Sequence, residues 1–350
     1  MKEAPRKSGG PDDEWLARHI EEIIEPELPI VDPHHHLWVR EGHTYLMAEL
    51  LADVGSGHNI VATVFAECHS MYRAWGPDEL RPVGETEFVA GVAAMAESGT
   101  FGPARLCAAM FGGADLTLGS RVEPVLEAHL QAAGGRFRGI RYSTGWDASE
   151  KIRSIVPKPN MLADAKVREA LGVLQRMGLS FDSWVYHTQL PEVAEVAAAF
   201  PDLTIVLNHV GSPILGGPYA GRREDVFVEW ERGIRAVARH PNVFVKLGAL
   251  PIRLPGSGNQ DRTLPPDSEE VAAAWRPWIE TCIEAFGPER GMFESNFPVQ
   301  KRWCSYQVVW NAFKRLATRA SAGEKRDLFF GAAARAYRLD TLPQPVVLGT

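Results

Sequence analysis

The chain has 350 residues, of which 45% are hydrophobic and 23% charged, and a formal net charge of −7. That balance provides enough apolar side chains for a large core and excludes a mostly disordered chain. The acidic surplus argues against nucleic acid or an anionic membrane as the main partner, because both select a basic surface, and leaves a small molecule as the expected ligand.

In chain order, residues 1–28 read as a leader with a helix, and residues 1–14 mix Lys2, Arg6, Lys7, prolines and acids without the apolar stretch of a secretory signal. Strand-like apolar runs follow at 30–32 leading into His34, and at 60–67, 104–110, 138–143, 180–186, 203–209, 243–247 and 291–296. Helical spacing of Ala, Glu and Leu fills most of the intervals, most clearly at 121–133, 164–177, 191–199, 226–239 and 268–286, and again at 306–317 and 324–336. Alternation of this kind predicts βα units around a parallel sheet, and eight units predict a single-domain (β/α)8 barrel over 29–340 with a tail at 341–350.

Two long Gly/Pro-rich connections, 71–84 and 251–267, each follow a strand and so fall on the barrel face where such folds build their pockets. No apolar run approaches the roughly 20 residues of a membrane-crossing helix. Cys68, Cys107, Cys282 and Cys304 lie far apart without CxxC spacing. That pattern suits free buried thiols in a cytoplasmic protein better than a disulfide framework.

The densest chemical signal is Asp32-Pro33-His34-His35-His36-Leu37-Trp38 at the end of the first run. Side chains two apart on a strand share a face, so His34 and His36 project together while His35 points away, and two converging imidazoles begin a metal site. His209 ends the sixth run and His187 follows the fifth; each is a candidate for the same site, or a histidine that only bonds a loop carbonyl.

These stretches resemble the amidohydrolase superfamily, in the branch with sugar lactonases and 2-pyrone-4,6-dicarboxylate lactonase. The likeness extends through 63–68, Gly139-Ile140-Arg141, 187–191, Leu207-Asn208-His209-Val210-Gly211 and Glu294-Ser295-Asn296-Phe297-Pro298. It implies hydrolysis of a lactone or related ester of a small polar or acidic substrate. His34, His36 and His209 would hold at most one divalent ion, zinc first among the candidates, with His187 as a fourth ligand. The resemblance equally admits a metal-free mechanism in which the histidines polarise the carbonyl. Non-oxidative decarboxylation or hydration, and a binding barrel that has lost catalysis, are the alternatives.

Asn296 stands where the resemblance calls for an aspartate that takes a proton from water, and an amide cannot accept it. A replacement base is sought in Glu67 or a histidine. Strand parity groups Thr63, Phe65 and Glu67 on one face, which would turn Glu67 into the barrel. Lys246 is expected to pair with Glu294 or Glu67, because an unpaired buried charge is costly. Arg141 is a candidate fork for a substrate oxygen or carboxylate, or else the partner of a loop acid. Trp38, Tyr72, Trp75, Tyr142 and Trp146 are candidate aromatic lining. Homo-oligomerisation is left open.

Overall fold

A computed structural model describes residues 12–251 and 263–339. Eight parallel strands follow one another around a single sheet in chain order. They are β1 (Ile30–His35), β2 (Ile60–Ala66), β3 (Arg105–Gly113), β4 (Phe137–Ser143), β5 (Ser180–Trp184), β6 (Ile205–Leu207), β7 (Val243–Gly248) and β8 (Gly291–Glu294). A parallel bridge between His35 and Phe297, with Asn296 N donating to His34 O and His36 N to Phe297 O, joins the last strand's end to the first. The sheet therefore closes into the (β/α)8 barrel.

A helix follows each strand: α1 (Met47–Val54), α2 (Val83–Glu97), α3 (Glu123–Ala132), α4 (Ala165–Arg176), α5 (Leu190–Ala199), α6 (Arg223–Ala238), α7 (Ser268–Phe286) and α8 (Tyr306–Leu316). The first two have no counterpart among the helices expected from spacing. In α2 the apolar and polar residues are spread around the helix, so its Ala- and Val-rich faces give no clear 3.6-residue stripe. A short hairpin, Trp38–Arg40 with His43–Tyr45, was also unanticipated.

Several strand ends differ from expectation. β3 runs on to Gly113, whereas β6 stops at Leu207 and β8 at Glu294, so that His209 and Asn296 sit in the turns beyond. The helix expected at 324–336 is interrupted by a π turn, Asp327–Gly331, between Ala322–Arg326 and Ala332–Ala336. Of the long connection 251–267, residues 252–262 fall outside the described residues, as do 1–11 and 340–350. No helix among the described residues is long and apolar enough to cross a membrane.

Alternate residues on the strands face two cores. One set, including Phe65, Ile140, Phe181, Leu247 and Phe293, packs outward against the helices, around Trp230, Trp275 and Trp278. The other set, including Val31, Ala62, Val64, Ala66, Phe111, Val206 and Met292, fills the barrel together with Phe330, Ala333 and Tyr337 of the C-terminal segment. The C-terminal segment thus packs into the barrel interior, and the Tyr337 ring stacks on Phe111 at 5.6 Å. Gly139 of the Gly-Ile-Arg stretch shows how tightly the strands fit. A Cβ there would lie 2.2 Å from Ser180 O, so any larger residue would push β4 from β5.

Candidate active site

The inward turn of the histidines depends on an irregularity in β1. Asp32 pairs with Thr63 and His35 with Phe65, so three steps on β1 oppose two on β2. A bulge of this kind re-aims side chains at a strand end. His35 consequently faces outward, with Nε2 2.9 Å from Thr63 Oγ1, while His34 and His36 turn inward with ring centroids 4.9 Å apart.

Asp32, also outward, fastens this end to the β8 turn: Ser295 Oγ donates to it at 2.6 Å and Tyr306 OH at 2.9 Å. Burial pushes its carboxyl up to about 6, against the opposing pull of those hydroxyls and of the Ser295 and His34 N–H groups, all of which favour the carboxylate.

Beyond β6 and β8 the chain adopts left-handed backbone at His209 (φ 55), Val210 (φ 48) and Asn296 (φ 52). Non-glycine residues, a β-branched one above all, resist this conformation, and it persists where surrounding structure enforces it. Trp230 Nε1, donating to Val210 O at 2.6 Å, is one such clamp. The strain brings His209 beside His34, with ring centroids 4.7 Å apart.

One carboxylate serves both rings. Glu294 Oε1 accepts from His209 Nδ1 at 2.6 Å, and Oε2 lies 3.0 Å from His34 Nδ1 without an aligned donor. His209 therefore carries its proton on Nδ1. His36 is fixed in the same tautomer, because Nδ1 faces Ala66 O at 2.9 Å. Its Nε2, 3.3 Å from the Asn296 side-chain amide, can only accept, so the amide must present its NH2 to the ring. Burial pushes both His34 and His36 well below the usual histidine range, with nearby cations adding to the effect, so both are neutral.

The His34 ring has a donor at each nitrogen: Lys246 Nζ at 3.1 Å from Nδ1 and Arg141 Nη1 at 3.2 Å from Nε2. A neutral imidazole accepts at one nitrogen only. Lys246 and Arg141 cannot both donate, and Arg141 has other partners in Glu67 Oε1, 2.8 Å from its Nε, and Glu67 O.

Lys246 is paired with Asp182 at 2.9 Å, not with Glu294 or Glu67 as expected. The physical reason is register: Asp182 on β5 projects into the same interior layer, where Tyr337 OH (2.8 Å) and Asn208 Nδ2 (3.0 Å) also donate to it. The expected parity on β2 also needs correction. Val64 and Ala66 face the barrel interior, and Thr63 and Phe65 the helices. Glu67 reaches the site nevertheless, because the strand ends at Ala66 and the chain turns there toward Arg141.

A cavity of about 640 Å³ opens above these groups. Of the expected site residues, His36, Trp38, Glu67, Arg141, His209 and Asn296 line it. His34 lies directly beneath, fully buried. His187, Tyr142 and Trp146 are not among the lining residues. His187 is buried against Tyr219, its Nδ1 accepting from Ile214 N at 3.3 Å. Tyr142 follows inward Arg141 on β4 and so faces the outer core. Trp184, Tyr186 and Arg40, by contrast, line the cavity and were missed. Alternation along β1 and its hairpin could have flagged Arg40, two residues beyond Trp38.

Two imidazoles and a carboxylate, His34, His209 and Glu294, place potential ligand atoms within 4.8 Å of one another. That donor set, with Glu294 Oε2 lacking an aligned donor, fits one divalent ion. It differs from the expected trio by exchanging His36 for Glu294, because His36 is drawn toward Ala66 O and Asn296.

The family model described as amidohydrolase matches residues 31–339. The uncharacterized protein y4mH of Sinorhizobium fredii is 32% identical over 335 residues, covering 89% of this chain and 99% of that protein. The L-fucono-1,5-lactonase of Burkholderia multivorans is 28% identical over 338 residues, covering 90% and 97%. A crystal structure of a Burkholderia multivorans amidohydrolase with bound zinc aligns at a TM-score of 0.66 and 24% identity, covering 90% of this chain and 99% of that one. The chain is an enzyme of the amidohydrolase family.

Proposed function

We propose that the protein opens a lactone or a related carboxylic ester with water, in the cavity above His34. The observation that carries this reading is the convergence of His36, His209, Arg141 and Asn296 on one cavity. Acyl hydrolysis needs a proton acceptor for water and cationic or hydrogen-bonding groups for the oxyanion. The similarity to an L-fucono-1,5-lactonase supports the same class.

In this reading His36 is the proton acceptor. Its Nδ1 proton is held by Ala66 O, which leaves the Nε2 lone pair beside Asn296. The Asn296 amide orients the water, and Nε2 takes its proton as the oxygen attacks the carbonyl. Arg141 supplies N–H donors and positive charge for the oxyanion, a task suited to its planar fork. Collapse of the tetrahedral species breaks the ring C–O bond, and the proton on His36 passes to the leaving alkoxide. His34, His209 and Glu294 would hold a divalent ion, zinc first among the candidates, which when bound polarises the substrate carbonyl.

Hydrolysis of a panel of sugar and aromatic lactones, followed by proton release, tests the reading, with elemental analysis of the same preparation. Ring opening with at most one ion per chain is the expected result. Absence of turnover on every lactone and ester, in protein supplied with zinc, would overturn it. Release of carbon dioxide from hydroxybenzoates in that protein would favour the decarboxylase alternative.

A further inference from the structure

We propose that the outer part of the cavity binds a carboxylate carried by the substrate, with Arg40 as the anchor and Lys151 and Arg153 as supporting cations. This rests on the reading that the cavity opens lactones or esters. The argument starts from alternation: His36, Trp38 and Arg40 are two residues apart, and all three line the cavity. The His36 and Trp38 rings stack at 5.6 Å with 20° between their planes, and the Arg40 guanidinium lies 3.8 Å over the Trp38 ring. Arg40 Nη2 donates to Cys68 O at 2.9 Å. A stacked, hydrogen-bonded guanidinium has lost much of its rotamer freedom before any ligand arrives, and its remaining N–H groups are available to one.

Charge points the same way. Arg40, Arg141, Lys151 and Arg153 line the cavity, and Glu67 is the only carboxylate lining it among the described residues. Glu67 is engaged by Arg141, and among the described residues Arg40, Lys151 and Arg153 have no ion-pair partner. Three uncompensated cations at one opening, in a chain of net charge −7, form a local field of opposite sign to the whole molecule. Ile152, Trp184, Ile214 and Leu250 line the same cavity. These side chains suit a planar or hydrocarbon body better than a polyhydroxylated ring, whose hydroxyls would lose water without finding partners. The substrate class is therefore a lactone or ester with an apolar or aromatic body and a carboxylate remote from the reacting carbonyl.

A phthalide carboxylate and its carboxamide share a planar lactone and differ in charge, so turnover and calorimetric binding of the two measure the anion site directly. The carboxylate is expected to have the higher kcat/KM by about tenfold, the scale of a few partly exposed charge pairs acting together, mainly through KM and fading with salt. Arg40→Gln, and Lys151→Gln with Arg153→Gln, should each shrink that ratio, and Arg40→Lys should restore part of it. Equal binding and turnover of the two compounds, or a ratio unchanged in every variant, would overturn the proposal. Selective binding of the carboxylate without turnover of either compound would sustain the anion site and count against the lactonase reading instead.

Discussion

The carboxylate of Glu294 meets the imidazole of His209 at 2.6 Å, in a buried position where the same side chain also lies 3.0 Å from His34. A carboxylate on Nδ1 sets the tautomer and orientation of the His209 ring and raises its basicity toward whatever Nε2 touches. Glu294→Gln preserves shape and removes charge. Hydrolysis of the proposed lactone or ester substrate is expected to fall by about 10–100-fold, the usual range for such supporting groups. Steady-state kinetics alongside thermal unfolding checks this, and an unchanged rate in folded protein would remove Glu294 from the site.

Arg141 and Glu67 form the second relationship to test, since the arginine donates to the Glu67 carboxylate at 2.8 Å and lies 3.2 Å from His34 Nε2. Arg141→Lys keeps the charge but loses the planar fork, so kcat/KM should fall clearly, with the fold retained. Glu67→Gln separates two roles. A base would cost on the order of a hundredfold or more in kcat when removed, whereas an orienting partner of Arg141 should change KM and the response to substrate charge more than kcat. With His36 as the acceptor, the second outcome is expected.

Asn296→Asp adds a titrating group next to His36 Nε2, 3.3 Å from the present amide. The pH–rate profile should gain an acidic limb from the new carboxylate, because its ionised form is the one that accepts a proton. An identical profile in parent and variant would show that residue 296 does not meet the water.

The pair Lys246–Asp182 is fully buried at 2.9 Å. Removing one partner leaves a buried charge without compensation, so Asp182→Ala or Lys246→Met should each destabilise by about 3–5 kcal/mol in denaturant unfolding. Replacing both together should cost less than the sum of the two. Additive losses would show that the two groups do not act as a pair.

Away from the site, Lys314 donates to Glu25 O and sits 2.9 Å from His58 Nδ1. Burial pushes Lys314 down to about 8 from its ordinary 10.5, and burial together with Lys314 pushes His58 down to about 4 from 6.5. Both folded values lie below the unfolded ones, so the unfolded chain binds more protons within each window. Stability should rise with pH from about 4 to 6.5 through His58 and again above about 8 through Lys314. Lys314→Met should flatten the slope of unfolding free energy between about pH 8 and 9.5, below the range where buried tyrosines begin to ionise in the unfolded chain. An equal slope in parent and variant would refute the assignment.

The alternation of apolar runs with helical spacing was sufficient for a parallel sheet covered on both faces, and the count of eight units together with the family motifs at their strand ends singled out the closed barrel. The inward pair His34 and His36, and the arrival of His209 and Asn296 at the same mouth, were legible for a related reason: motifs at strand ends must share the face to which all parallel strands point. Where the reading failed, the cause was a departure from regular geometry or a contact between distant segments. Parity placed Thr63 and Phe65 inside, where Val64 and Ala66 lie, and Glu67 reached the cavity only because it lies one residue past the strand, where alternation no longer applies. Lys246 chose Asp182 over Glu294 because the stagger of the strands sets which interior side chains share a layer, and no single strand encodes its neighbour's register. Tyr337 reached that same layer from the C-terminal segment, 155 residues beyond Asp182, through packing alone. His187 ended in a separate packing environment because the chain turns into a helix directly after β5, carrying the ring toward Tyr219. Periodicity is a local property and determined which residues share a face; which face turned inward, and the partners met there, were decided by the closure of the sheet.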